Sequence, residues 1–197
     1  MRLAIALMVA TVLGCQQKVE QKPPETATKT PQTQPETQPQ AQPKTMPNRP
    51  PRPAMKQSDS RVWVDAVTAA KGSKGSFKIN YYGVEEAKAI VVPLSYPAGM
   101  TVDSISFAGS ILSYLANRPT RIENKDHFLL MTAIPMTEVN IPAKEGLLAT
   151  VHFTLAPDAT DGVIDETFVP PGNYLTYVDT ASTLVEPRFE PGKMTVK

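Results

Sequence analysis

Gly146-Leu147-Leu148-Ala149-Thr150-Val151-His152-Phe153-Thr154-Leu155 is the stretch whose reading decides the fold class. Leu147, Ala149, Val151, Phe153 and Leu155 alternate with Leu148, Thr150, His152 and Thr154. A two-residue period sends successive side chains to opposite faces of a strand, so one set enters a core and the other meets solvent. Phe153 is therefore expected inside and His152 outside.

The same period recurs on both sides of this stretch. Phe77, Ile79 and Tyr81 alternate with Ser76, Lys78 and Asn80. Ile90, Val92, Leu94 and Tyr96 alternate with Ala89, Val91, Pro93 and Ser95, and Ile105 and Phe107 with Ser104 and Ser106. Residues 128–134 form a nearly continuous apolar run, as in a central strand buried on both faces or nearly so. Further strands are expected at 62–67, 121–124, 163–168, 175–178 and 193–196, separated by Gly, Pro, Asn and Asp. No segment has convincing helical periodicity. About nine short strands without helices imply two packed sheets, each with one face toward solvent. Pro93 and Pro135 cannot donate a ladder hydrogen bond, so each should mark an edge, a bulge or a strand end.

The chain opens with Met1-Arg2, an apolar run from Leu3 to Leu13, then Gly14-Cys15. One positive charge before a short apolar stretch is the layout of a secretory signal peptide. The run is well below the ~20 residues that span a bilayer. Cys15 is the only cysteine, so no internal disulfide can hold the fold, and a lone extracellular thiol would be a liability. Between these ends lies a linker. From Lys22 to Gln57 the chain is dominated by Pro, Thr, Gln and Lys and holds ten of its twenty prolines. Thr-Gln-Pro occurs at 33–35 and again at 37–39. Such a segment buries too little apolar surface to offset its ordering entropy, and proline biases it toward extended polyproline II. Arg49-Pro50-Pro51-Arg52-Pro53 would suit an SH3-like reader, although a spacer accounts for the segment as a whole. The plan is thus a signal peptide at 1–14, a Cys15-headed linker at 15–57 and a folded domain at 58–197.

The net charge of +1 hides an asymmetry. Residues 16–57 carry seven Lys or Arg against three Glu, and residues 58–197 carry twelve against sixteen Asp or Glu. A basic membrane-proximal segment is weakly attracted to anionic lipid, and equally serves as a solvated tail. A mildly acidic domain argues against nucleic acid as partner.

No catalytic constellation is present. His127 and His152 lack a spaced third ligand, there is no Gly-x-Ser-x-Gly, and no thiol remains for nucleophilic work. Lys71-Gly72-Ser73-Lys74-Gly75-Ser76 lacks the spacing and following helix of a phosphate loop. Asp158-Ala159-Thr160-Asp161-Gly162, followed by Asp165-Glu166, reads as turn chemistry; calcium there would need oxygens from elsewhere. No metal site and no cofactor are expected. Trp63 should point outward between Val62 and Val64, where it could stack on a sugar, anchor a protein, or be covered by an edge loop.

Two family resemblances are carried by these residues. Val12-Leu13-Gly14-Cys15 resembles the lipobox of bacterial lipoproteins, which implies cleavage before Cys15 and lipidation of its sulfur. Gln16 stands where Asp would signal inner-membrane retention in many two-membrane bacteria, which favours the outer membrane in a two-membrane source. The second resemblance is to cohesin domains. Val62-Trp63-Val64 followed by residues 72–77 looks like their first hairpin. Residues 89–97, ending Leu94-Ser95-Tyr96-Pro97, resemble their third strand, and 105–109 the segment after it. Residues 146–155 resemble the family's glycine-led strand. Pro170-Pro171-Gly172-Asn173-Tyr174 and residues 191–196 resemble its closing segments. The resemblance implies a nine-stranded jelly-roll sandwich close to carbohydrate-binding modules, and a non-catalytic role. Known members bind dockerins through one exposed sheet face. A polysaccharide on the same fold is the alternative, and a strip of exposed aromatics would favour it. On the third expected strand the outward set is Ala89, Val91, Pro93 and Ser95, a flat and weakly apolar surface better suited to protein.

Overall fold

The computed structural model describes residues 51–136 and 139–197, which contain strands and loops and no helix. Cys15, the apolar run before it and the linker up to residue 50 lie outside the described residues. Twelve strands follow in order: β1 (Lys56–Val64), β2 (Val67–Ala69), β3 (Lys74–Tyr82), β4 (Ala87–Ser95), β5 (Met100–Ser106), β6 (Thr120–Glu123), β7 (Phe128–Ala133), β8 (Glu145–Leu155), β9 (Gly162–Glu166), β10 (Thr176–Asp179), β11 (Leu184–Glu190) and β12 (Gly192–Val196).

They form a jelly-roll sandwich. One layer runs β5-β8-β3-β1-β11, the other β6-β7-β4-β10, with β9, β12 and β2 extending from β4. Inward side chains of both layers meet in one core: Phe77, Ile79, Val151 and Phe153 from the first, Ile90, Val92, Leu94 and Met131 from the second. Phe77 and Phe153 lie with ring centroids 6.1 Å apart. Gly75 pairs with Phe153, and a Cβ there would stand 2.6 Å from the ring, so only glycine lets the ring lie across β3.

The layers are not separate sheets. β11 pairs in parallel with β1 and antiparallel with β10, which joins the layers along one side. This strand was not expected, because Leu184-Val185-Glu186-Pro187-Arg188-Phe189-Glu190 reads as a charged loop with a proline. Pro187 lies where the β1 register shifts between Gln57 and Arg61, and beyond the β10 pairing, so its missing N–H costs no ladder bond. On the far side Asn124 stands in for a strand. Its Oδ1 accepts the Val102 N–H at 2.8 Å, its Nδ2 donates to the Val102 carbonyl at 3.1 Å, and the Tyr96 hydroxyl donates to Oδ1 at 2.8 Å. Burial, assisted by the Glu123 charge, pushes the Tyr96 pKa up to about 12, so the hydroxyl stays a donor.

Four differences from the sequence reading have physical causes. The register between β3 and β8 shifts between Ile79 and Asn80, so Leu148 bulges into the core, fully buried, while Leu147 is only half-buried. The stretch 62–67 divides, with β1 ending at Val64 and β2 beginning at Val67 on β12. β1 starts at Lys56, ahead of the strand expected from Val62, because Lys56 and Gln57 pair with Val185 and Glu186 of β11. Pro93 is a central-strand residue, not an edge. Along its side of β4 the neighbour changes from β10, which pairs through Val91, to β9, which pairs from Leu94. The Pro93 carbonyl accepts the Thr167 N–H at 3.1 Å, and the missing N–H falls at that handover.

Phe153 and Leu94 are fully buried and His152 is exposed. Phe153→Ala should cost about 3–5 kcal/mol and Leu94→Ala about 2–5 kcal/mol in denaturant unfolding. His152→Ala should stay within about 0.5 kcal/mol. The bulge adds that Leu148→Ala should cost at least about 1 kcal/mol more than Leu147→Ala. A larger loss at His152 than at Phe153 would indicate a one-residue slip of β8.

Candidate functional site

Cross-strand pairing assembles one outward face from β6, β7, β4 and β10. Directly paired residues share a face. Val91 pairs with Thr132, Pro93 with Leu130 and Ser95 with Phe128. Arg121 pairs with Leu130 and Glu123 with Phe128 on one flank, and Thr176 with Val91 and Val178 with Ala89 on the other. The expected outward set on β4 is thus on this face, with one correction: Pro93 is buried, whereas Ala89, Val91 and Ser95 are half-buried. Phe128 is 7% exposed, and the Arg121 guanidinium lies 5.1 Å from its ring centroid. That stacking leaves the charge of Arg121 at the surface beside Leu130.

The row does not stop at the sheet. Ile134 follows Leu130 and Thr132 in the same alternation and is exposed, and Met136 beyond it is 76% exposed. Val139 is 56% exposed and Tyr114 48%, and the Tyr114 hydroxyl donates to the Asn140 carbonyl at 2.7 Å. Pro135 falls after β7, at a strand end as its missing donor requires. Val91, Pro93 and Leu130 give this face an apolar centre, and Arg121, Glu123, Ser95 and Thr176 give it polar or charged flanks.

The opposite sheet face is different in character. Trp63 points outward from β1, as expected, and is half-buried. The Arg61 guanidinium lies 5.6 Å from the Trp63 ring and 5.6 Å from the Tyr82 ring, and pairs with Glu190 at 3.5 Å. His152 is exposed on this face, paired with Ser76 and Ser104, whereas His127 sits in the β6–β7 turn at φ 54°, its ring edge-on to Tyr96 at 5.9 Å. The structure does not bring the two histidines into one element or turn. The acidic loop serves backbone ends: Asp161 accepts the Val196 N–H at 2.7 Å and Asp165 the Glu166 N–H at 2.8 Å. No group of three or more His, Cys, Asp or Glu that could hold a metal ion is found among the described residues.

A polar network fastens the start of β1. Ser60 is fully buried and accepts the Val84 N–H at 3.1 Å. The Tyr177 hydroxyl donates to Glu85 at 2.7 Å and lies 2.9 Å from the Ser58 hydroxyl. Burial raises the Tyr177 pKa and pushes that of Tyr81 well up, so both remain neutral at physiological pH. Sequence reading missed this network, because Ser58, Ser60, Glu85 and Tyr177 are brought together by the pairing of β1 with β3 and β11 and of β10 with β11 and β4.

No family model matches the chain, and no curated protein does. Solved structures do match in fold. A Clostridium thermocellum OlpA cohesin, solved in complex with a dockerin, superposes with a TM-score of 0.60 at 14% identity, over 71% of this chain and 100% of that one. The third ScaC cohesin of Acetivibrio cellulolyticus, solved in complex with the ScaB dockerin, gives 0.58 at 21% identity, over 70% and 98%. A non-cellulosomal cohesin from the hyperthermophilic archaeon Archaeoglobus fulgidus gives 0.55 at 13% identity, over 71% and 92%. At these identities the likeness is one of fold: the described residues form a cohesin-like β-sandwich.

Val91 separates a free face from a covered one. Half-buried between Thr132 and Thr176, it can turn a carboxylate toward water. Val91→Asp should therefore leave the domain folded, costing on the order of 1–2 kcal/mol and lowering Tm by several degrees. Loss of the folded state in that variant would show that the face is interior.

Proposed function

We propose that this chain is a non-catalytic protein-binding module that uses the β6-β7-β4-β10 face, in the manner of cohesins, for a dockerin-type partner. The observation that carries the reading is the outward set of Val91, Leu130 and Ile134, with Thr132 among them, beside the surface charge of Arg121. The fold likeness to cohesins solved with dockerins supports it. A polysaccharide is less well served, because Trp63 and Tyr82, the aromatic pair of the opposite face, share the Arg61 guanidinium. The absence of catalytic residue patterns in the sequence points the same way.

The rest of the proposal concerns delivery. Residues 1–14 act as a signal peptide, Cys15 carries lipid, and the Pro-rich segment holds the domain away from the bilayer. The protein is then a cell-envelope lipoprotein, at the outer membrane if the source has two membranes. One acyl chain gives only marginal membrane binding, so stable anchoring needs the several chains of a lipoprotein-type anchor.

Two experiments test these claims. Immobilised wild-type protein should enrich secreted proteins of the same organism that bear paired Asp-rich dockerin repeats. Val91→Asp, still folded, should weaken that binding at least about tenfold; unchanged affinity would remove this face from consideration. Cys15→Ser should stop acyl labelling and move the protein out of the membrane fraction. A variant that remained membrane-bound would refute the anchor.

A further inference from the structure

We infer that the domain carries a guanidinium-binding cradle, built from Glu166, Tyr174, the Leu175 carbonyl and Glu186, which holds Arg52 of the chain's own Pro-rich segment. Arg52 Nη1 lies 2.5 Å from Glu186 Oε1, and Nη2 lies 3.7 Å from Glu166 Oε2 and donates to the Leu175 carbonyl at 3.4 Å. The guanidinium stands 5.5 Å from the centroid of the Tyr174 ring, which is itself backed by Phe168 at 4.9 Å. Arg52 is only 27% exposed, and its two carboxylate partners are 22% and 32% exposed.

This is more than a surface ion pair. Two carboxylates, a carbonyl acceptor and an aromatic face converge on one planar cation, from β9, β11 and the loop before β10. The fork of an arginine can bond the carboxylate and the carbonyl while its flat face lies on the ring; an ammonium cannot reproduce that geometry. The cradle is continuous with the start of β1, because the other oxygen of Glu186 accepts the Gln57 side-chain amide at 2.7 Å. Glu186 thus grips the chain at two points five residues apart.

The sequence around Arg52 fits the site. Pro51 and Pro53 flank it, so the residue enters from an extended backbone with little entropy left to lose. An arginine in a proline-rich stretch, docked on an aromatic ring between acidic groups, is the chemistry by which separate reader domains take Pro-rich ligands. Here the reader and the ligand are parts of one chain. Residues 51–57 become a strap on the domain, and the strap lies next to Thr176, which pairs with Val91 on the β10 flank of the outward face.

The test uses the whole chain and hydrogen exchange over residues 53–58. Arg52→Ala and Glu186→Gln should each speed exchange there about tenfold, with Tm nearly unchanged. Glu186→Gln keeps an acceptor for Gln57, so its effect reports the charge. The double variant should be no faster than either single one, and Arg52→Lys should behave like Arg52→Ala. A labelled synthetic peptide of residues 47–57 should bind the Arg52→Ala chain at least about tenfold more tightly than the wild-type chain, where the cradle is filled in cis. Unchanged exchange in Arg52→Ala, additive effects in the double variant, or equal peptide binding to both chains would overturn the assignment.

Discussion

The double pairing of β11 is the constraint on which the rest of the structure depends. A two-layer sandwich leaves unpaired N–H and C=O groups along each layer's edges. β11 satisfies one side by bonding β1 with one edge and β10 with the other. That places Tyr177 beside Ser58, Ser60 and Glu85 and draws the first residues of β1 into the domain. Pro187 in the middle of this strand is tolerated only because β1 breaks register opposite it. On the other side no strand is available between β5 and the β6–β7 hairpin, and the amide of Asn124 supplies the missing donor and acceptor to Val102. The jelly roll is closed by a strand on one side and by a side chain on the other.

Arginine–aromatic stacking gives the two outer faces their chemistry. Arg121 covers Phe128, Arg61 lies between Trp63 and Tyr82, Arg118 covers Phe107, and Arg52 covers Tyr174. Each pairing covers part of an aromatic plane; Arg121 keeps its charge at the surface, whereas Arg61 and Arg52 are paired with carboxylates. On the β6-β7-β4-β10 side the apolar surface is mainly aliphatic and thioether, with Leu130 half-buried and Ile134 and Met136 exposed. Such a surface packs against a complementary protein surface rather than stacking on a ring of sugar carbons.

Much of the sandwich was legible in local alternation. Ala149, Val151, Phe153 and Leu155 are buried and His152 is exposed, as the two-residue period of that stretch requires. Ile90, Val92 and Leu94 obey the same rule. The period fails at Leu148, where an extra residue in β8 turns a solvent-phase leucine into the core. Nothing in the residue types marks that bulge, because Leu147 and Leu148 are identical side chains. β11 was illegible for a related reason: its charges and proline suit a loop, and it becomes a strand by lying between β10 and β1, the second of which is more than a hundred residues earlier in the chain. The outward face was half legible. Its β4 row could be read, but the burial of Pro93 and the arrival of Arg121, Leu130 and Thr176 depend on which strands lie beside β4.

By itself, then, the sequence determined the all-β class and the phase of most strands, because these follow from the period and identity of neighbouring residues. It also carries the one cysteine and the Pro-rich segment, whose composition speaks without a fold. Tertiary structure alone decided which strands are neighbours, where the register shifts, and where the first strand begins. Glu166, Tyr174, Leu175 and Glu186 are ordinary residues of three different segments in the sequence. They become a site for Arg52 only when β9, β10 and β11 are set side by side, since a cation is held by groups that converge in space, and that convergence leaves no periodic mark along the chain.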